Sequence, residues 1–338
     1  MMSVALLAWA LPTAVLTLWL LGIFRAQLAT DRLVILAFHR FVRTDSPDAT
    51  HSDSEPAWVT EEANFEEQVA WLAREGFTAI DLDGLAAIRS GQSPRPARSV
   101  IFTFDDGYAS VADIAAPILM RYGMTGTIFA LLDPDAHSRD LIRGKDRFLQ
   151  PKELRALADV GWSIQSHTVT HAILTELPDA QLDWELRESA FCLHQITGKA
   201  VHHLCLPRGG VSNRVIECAR RLGYRTICGL GKGTARFSSD PLQLPRLSPL
   251  RHQGGAALRW MLTPVGATIE IALARLKVVP TRLLGARHGY RLRSWLYRSP
   301  LRAVFGPRHV KRTALALVAV WFVLGIWTLA HVGAAGCP

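Results

Sequence analysis

Cysteine is scarce in this chain and badly placed for pairing: the 338 residues hold five, Cys192, Cys205, Cys218, Cys228 and Cys337, with no CxxC among them. An odd, scattered set argues against both a disulfide framework and a zinc knuckle. No segment repeats with a period of roughly 20 to 50 residues, and no low-complexity tract occurs, which sets repeat arrays aside. Charge is missing from two long runs, residues 3–24 and 313–332. At about 1.5 Å of rise per residue each could cross a hydrocarbon core. The first run also lacks a basic n-region and a small-x-small cleavage site, so an uncleaved anchor is expected in preference to a secretory leader. Acid is the last near-absence. From Leu250 to Arg312 there are thirteen Lys and Arg against the single Glu270, so the net charge of +9 is concentrated there and the rest of the chain sums to −3.

These absences predict an organisation of the chain. A transmembrane anchor is expected over 1–25, a catalytic-size domain over 26–249, a basic amphipathic segment over 250–312 and a second transmembrane helix over 313–332. Arg25, Arg32, Arg40 and Arg43 follow the first run, Arg308, Lys311 and Arg312 precede the second, and the outer tails carry no Lys or Arg. The positive-inside rule then puts the domain on the cytoplasmic face of a bacterial inner membrane, with a periplasmic or extracellular placement as the alternative. Trp260, Trp295 and Tyr297 interleave with arginines in the basic segment. That mixture favours an anionic lipid surface over a solvated basic face, and nucleic acid is not expected as a partner.

What is present between the runs is alternation. Strand patterns at 33–39, 77–82, 99–104, 126–132, 162–167, 201–207 and 224–230 alternate with helix patterns at 64–76, 83–91, 110–122, 151–161, 179–197 and 212–223. The helix over 64–76 carries Phe65, Val69 and Leu72 on one face and ends on glycine. The one over 151–161 has proline at its start and glycine at its end, and Ser212 is placed as an N-cap. Alternation on this scale predicts an α/β fold with a parallel sheet, curled into a distorted barrel of seven or eight strands and flanked by the two transmembrane helices. In such barrels chemistry collects at the C-terminal ends of the strands.

Several polar clusters fall at those ends. SVIFTFDDG runs a buried-looking strand into Asp105 and Asp106, two adjacent carboxylates that are either an ordinary Asp-Gly turn or a charged site with a cation. About 60 residues on, SHTVTH carries His167 and His171. Histidines four apart on one face of a helical turn, with one aspartate oxygen, suit Zn²⁺ or a similar divalent ion, Co²⁺, Ni²⁺ and Mn²⁺ included. Gly107 lets the backbone turn closely beside such a site.

The pairing of strand-TFDDG with strand-SHxxxH resembles the polysaccharide deacetylases of carbohydrate esterase family 4, which share the NodB homology domain; the resemblance covers about Leu33 to Leu247. It implies that Asp105 is the general base and that Asp106, His167 and His171 are the metal ligands. The family's usual late Leu-x-x-His motif has no convincing copy, since His252 stands in a poor context. ILAFHRF instead resembles the early histidine motif of the permuted poly-N-acetylglucosamine deacetylase subgroup. His39 becomes the candidate general acid, against the alternative that it only caps a strand exit. Where many members read Arg-Pro-Pro-Tyr-Gly, this chain reads Cys205-Leu206-Pro207-Arg208-Gly209. The backbone N–H of Arg208 would still serve an oxyanion hole, but the base-orienting arginine is missing. Arg246 in LQLPRL is a candidate substitute, or else a surface residue.

The resemblance implies metal-dependent hydrolysis of an N-acyl group, most simply N-acetyl, from a sugar. With the expected topology, the substrate would be a polyprenyl-phosphate-linked sugar or other lipid-linked glycan precursor. The alternatives are an outward-facing deacetylase of exopolysaccharide or peptidoglycan, and a catalytically inactive glycan-binding scaffold.

Overall fold

Short runs of β-branched and aromatic residues form the inner wall of the domain, and the helices between them cover it. A computed structural model describes residues 2–44, 59–133, 147–249, 251 and 253–275, with the side chains of 2–12 and 230–232 outside that description. The chain divides into two units, Met1–Ala29 with Pro264–Pro338, and Thr30–Thr263.

In the second unit the strands are β1 (Arg32–Phe38), β2 (Arg40–Val42), β3 (Val59–Glu61), β4 (Thr78–Ala79), β5 (Ser99–Asp106) and β6 (Thr127–Ala130). They continue as β7 (Ser163–Ser166), β8 (His203–Cys205), β9 (Thr226–Lys232), β10 (Ala235–Arg236) and β11 (Leu244–Arg246). Parallel pairing runs β1-β5-β6-β7-β8-β9-β11. The ring of seven then nearly closes, because Leu247 bridges Leu36: Ala37 N donates to Leu247 O and Leu247 N to Ile35 O, both at 2.8 Å. This fits the expected barrel. β1 is buried after its first residue and β5 along its whole length, as strands covered on both faces should be.

The helices of this unit follow from local signals. The first helix of the chain is α1 (Met2–Gln27), in the other unit; then come α2 (Glu62–Arg74), α3 (Leu82–Arg89), α4 (Ala116–Arg121), α5 (Pro151–Asp159), α6 (Asp179–Thr197), α7 (Asn213–Arg221) and α8 (Gly255–Leu262). Phe65, Val69 and Leu72 of α2 face the core, and Gly76 beyond its end has φ +74°, the left-handed conformation that glycine supplies. Ser212 Oγ accepts from Val215 N at 3.3 Å at the start of α7. Asp81 accepts from Gly84 N at 2.6 Å, and this cap turns the chain into α3 where the sequence pattern continued a strand to residue 82. The expected helix over 110–122 opens instead as a π-turn, Val111–Ala115, before α4.

α3 plugs the N-terminal mouth of the barrel. Leu82 and Leu85 pack there with Leu33, Ile35, Ile101 and Phe129. The other end stays polar, and β1 leaves it through a phenylalanine cluster. Phe38 and Phe41 flank His39 and meet Phe65 edge-on at 5.0 and 4.9 Å, a geometry aromatic pairs favour.

The expectation of an N-terminal transmembrane helix is overturned, and the membrane location built on it loses that support: among the described residues no helix is long and apolar enough to cross a membrane. α1 is helical, and part of its apolar surface has protein contacts while Val15, Leu18 and Leu21 are exposed. Ile23 is buried with Ile271 and Ala272 of the helical run 264–275, with Trp19 and Leu20 packed alongside. Apolar character in a helix can serve packing within a unit as well as a bilayer. The second expected span, 313–332, the basic stretch 276–312 and His252 lie outside the described residues.

Candidate active site

Asp105 and Asp106 are the last residues of β5 and both are buried. Asp106 takes φ +71° and Gly107 φ +81°. The turn breaks the strand's alternation at once, so two consecutive carboxylates stay at one end of the barrel and address different partners. A Cβ at Gly107 would meet Ala130 at an ordinary 3.5 Å; the conformation, more than the space, calls for glycine.

Asp105 faces Arg246. The guanidinium donates from Nη1 to Oδ1 and from Nη2 to Oδ2, each at 2.7 Å. Nη1 also reaches Thr103 Oγ1 at 2.9 Å and Nη2 reaches Cys205 Sγ at 3.0 Å, while the plane lies 5.8 Å from the Phe129 ring centroid. One side chain from β11 therefore touches β5, β6 and β8 across the barrel interior. A planar fork is the group suited to grip both carboxylate oxygens. Burial alone would raise the pKa of Asp105, but Arg246, helped by His39 and His167, outweighs it and holds the carboxyl at about 2. His39 Nε2 lies 3.7 Å from Asp105 Oδ2. Burial pushes His39 below its ordinary value against the pull of both aspartates.

Asp106 faces the histidines. His167 Nε2 stands 3.3 Å and His171 Nε2 3.6 Å from Asp106 Oδ1. His167 Nδ1 lies 2.8 Å from Cys205 O; a carbonyl only accepts, so Nδ1 carries the hydrogen and Nε2 turns its lone pair to the site. Burial opposes ionisation of Asp106, yet the His167 hydrogen bond and the neighbouring histidines hold its carboxyl below the usual carboxylate range. The sequence reading put His167 and His171 on a helical turn. They occupy an irregular turn instead, with Thr168 at φ +73° and His171 at φ +61°, and that is what brings both rings to one oxygen.

This donor set fits a divalent ion. One carboxylate oxygen and two imidazole nitrogens, all buried, have their ligand atoms within 4.8 Å of one another. Ligands about 2.1 Å from a tetrahedral zinc stand about 3.4 Å apart, close to the 3.3 and 3.6 Å separations here. Arg208 sits exposed at φ +54° in the turn Pro207–Gly209, at the C-terminal end of β8. Sequence reasoning missed Thr103 and Cys205. Thr103 carried a signal, since it precedes Asp105 by two residues and so shares its face of β5; Cys205 carried none beyond standing where the arginine was missed.

Residues 92–227 match the polysaccharide deacetylase family model. The Bacillus subtilis protein YxkH is 27% identical over 194 residues, 57% of this chain and 66% of that protein. The peptidoglycan-N-acetylmuramic acid deacetylase PdaA of Bacillus subtilis is 29% identical over 132 residues, 38% of this chain and 46% of that one. The chain thus spans about two thirds of the first relative and under half of the second. Among solved structures, the Streptococcus pyogenes deacetylase PplD in complex with acetate aligns with a TM-score of 0.60 at 22% identity, covering 68% of this chain and 98% of its own. The barrel, the motifs at its C-terminal end and these matches agree on the matched region: residues 92–227 form part of a polysaccharide deacetylase domain of the NodB type, carbohydrate esterase family 4.

Proposed function

We propose that this protein hydrolyses the N-acetyl group of an amino sugar in a polysaccharide. The observation that carries the reading is the division of labour at the end of β5, where Asp105 is gripped by Arg246 and Asp106 faces His167 and His171. Asp106, His167 and His171 would hold a divalent ion, Zn²⁺ being the best match to the donors. Such an ion supplies Lewis acidity to a water and to the acyl oxygen.

Asp105 is the base. Held ionised by the Arg246 fork, it takes a proton from the attacking water as oxygen adds to the acyl carbon. Arg246 fixes both carboxylate oxygens, so the base meets the water in one orientation and needs no reorganisation. The backbone N–H of Arg208 is the proposed donor to the developing oxyanion. As the C–N bond breaks, His39, whose Nε2 lies 3.7 Å from Asp105 Oδ2, passes to the leaving nitrogen the proton that Asp105 took from the water, and burial disfavours the imidazole keeping it. The products are acetate and the free amine.

Arg246 weakens the case for an inactive scaffold, since a guanidinium on the base was the one part missing from the third motif. The lipid-linked precursor depended on an orientation derived from two membrane spans and loses that support. A polymer substrate agrees with the activity for which PdaA is named.

The test is acetate release from N-acetylglucosamine oligomers, measured with metal content. Wild type should carry one ion and release acetate, Asp105→Asn should keep the ion and lose release, and His167→Ala should lose both. Equal release by all three would overturn the reading.

A further inference from the structure

The turn between the two site histidines is tied down from outside the barrel. α6 presents Glu185 and Ser189, one helical turn apart and both fully buried. Glu185 Oε2 accepts from Val169 N at 2.8 Å and Thr170 N at 3.1 Å, and Oε1 accepts from the Thr170 hydroxyl. Ser189 Oγ lies 2.8 Å from Ser166 Oγ, which accepts from Thr168 N at 3.2 Å; Thr168 Oγ1 in turn accepts from His171 N at 3.1 Å. Each residue from Thr168 to His171 is thereby fixed through a side chain. Among the described residues, the hydrogen-bond partners of Glu185 all belong to this turn.

A carboxylate at zero exposure is costly to bury unless its oxygens are hydrogen-bonded, and both oxygens of Glu185 are engaged by this turn. Thr168 and His171 hold left-handed backbone, which residues other than glycine keep only where the surroundings over-determine it. Both facts point to placement of the rings. We propose that Glu185 is a positioning residue for the metal centre, clamping Val169 and Thr170 so that His167 and His171 present Nε2 to the same ion. The proposal rests on reading Asp106, His167 and His171 as the ligands.

Titration of the metal-stripped full-length chain with Co²⁺ tests it, because the visible absorption of Co²⁺ reports ligand number as well as affinity. Glu185→Gln keeps an oxygen for both backbone N–H groups and should bind within about threefold of wild type, whereas Glu185→Leu should lose about 10- to 100-fold in affinity and shift the spectrum. Thr170→Val removes one of the three bonds and should fall between them. Raising Co²⁺ should restore kcat for acetate release in Glu185→Leu with KM for the oligomer unchanged, a rescue that a merely structural role would not give. Wild-type affinity and spectrum in Glu185→Leu overturns the proposal; if that variant does not fold, the same result in Thr170→Val does so. His171→Ala in the same titration separates the two failures: wild-type binding there shows that the ligand assignment is wrong, and the clamp falls with it.

Discussion

The two ends of the barrel both pair a buried histidine with an aspartate, and they do different things. At the N-terminal end His203, fully buried, meets Asp83 at 3.1 Å, and the Asp83 side chain is 54% exposed. Gln165 Oε1 completes that corner by accepting from His202 N and His203 N, both at 3.0 Å. At the C-terminal end the carboxylates are buried, two imidazole nitrogens converge on one oxygen, and a guanidinium locks the other aspartate. Residue type alone would not separate these corners. What separates them is how many donor atoms reach one point and how little water reaches it.

Breaking the C-terminal corner should have the largest effect. His167→Ala or His171→Ala removes a proposed ion ligand and should lower kcat/KM by about 10³-fold or more, a few kcal/mol of Lewis-acid stabilisation; acetate release with metal analysis checks it. Arg246→Met should keep the ion but lower kcat by about 10²-fold through a misplaced base. It should also cost about 3–5 kcal/mol of stability, because Asp105 is left buried without its partner. Arg246→Lys, which restores charge without the fork, should recover stability more than rate.

Gly107→Ala forces a side chain into φ +81° and should cost about 1–3 kcal/mol in denaturant unfolding. The N-terminal corner should respond least. Asp83→Asn should leave kcat/KM within about twofold, because its pair is remote from the reacting atoms. The hydrogen bond from His203, opposed by partial burial, lowers the pKa of Asp83 from 3.8. The stabilisation is therefore fully present above that ordinary value and fades as pH falls through the lower folded one. Wild type should lose stability over that acid window, and Asp83→Asn should flatten the loss; melting curves at stepped pH read it. A large drop in turnover for Asp83→Asn would abolish the contrast between the two ends.

The same contrast explains what could be read in the sequence. β5 with TFDDG and β7 with SHTVTH were legible because each motif is contiguous and stands at the end of a short strand run. Phe65, Val69 and Leu72 announced α2, and Ser212 announced α7, for similarly local reasons. The Asp105–Arg246 fork spans 141 residues, and only ring closure through Leu36 and Leu247 brings β11 round to it. No local pattern records that, so Arg246 read equally as the substitute for the missing arginine or as a surface residue. The left-handed turn at Thr168 and His171 was equally hidden, since neither residue favours that backbone on its own. The apolar run of α1 misled because hydropathy does not say whether a helix meets lipid or another helix.

The central claim is that a divalent ion held by Asp106, His167 and His171 serves a base held by Arg246. The most direct measurement strips the full-length chain of metal and follows acetate release from N-acetylglucosamine oligomers as Zn²⁺ is added back. Release should be absent in the stripped chain, rise linearly with added ion and break at one equivalent. Undiminished release from the stripped chain would contradict the account.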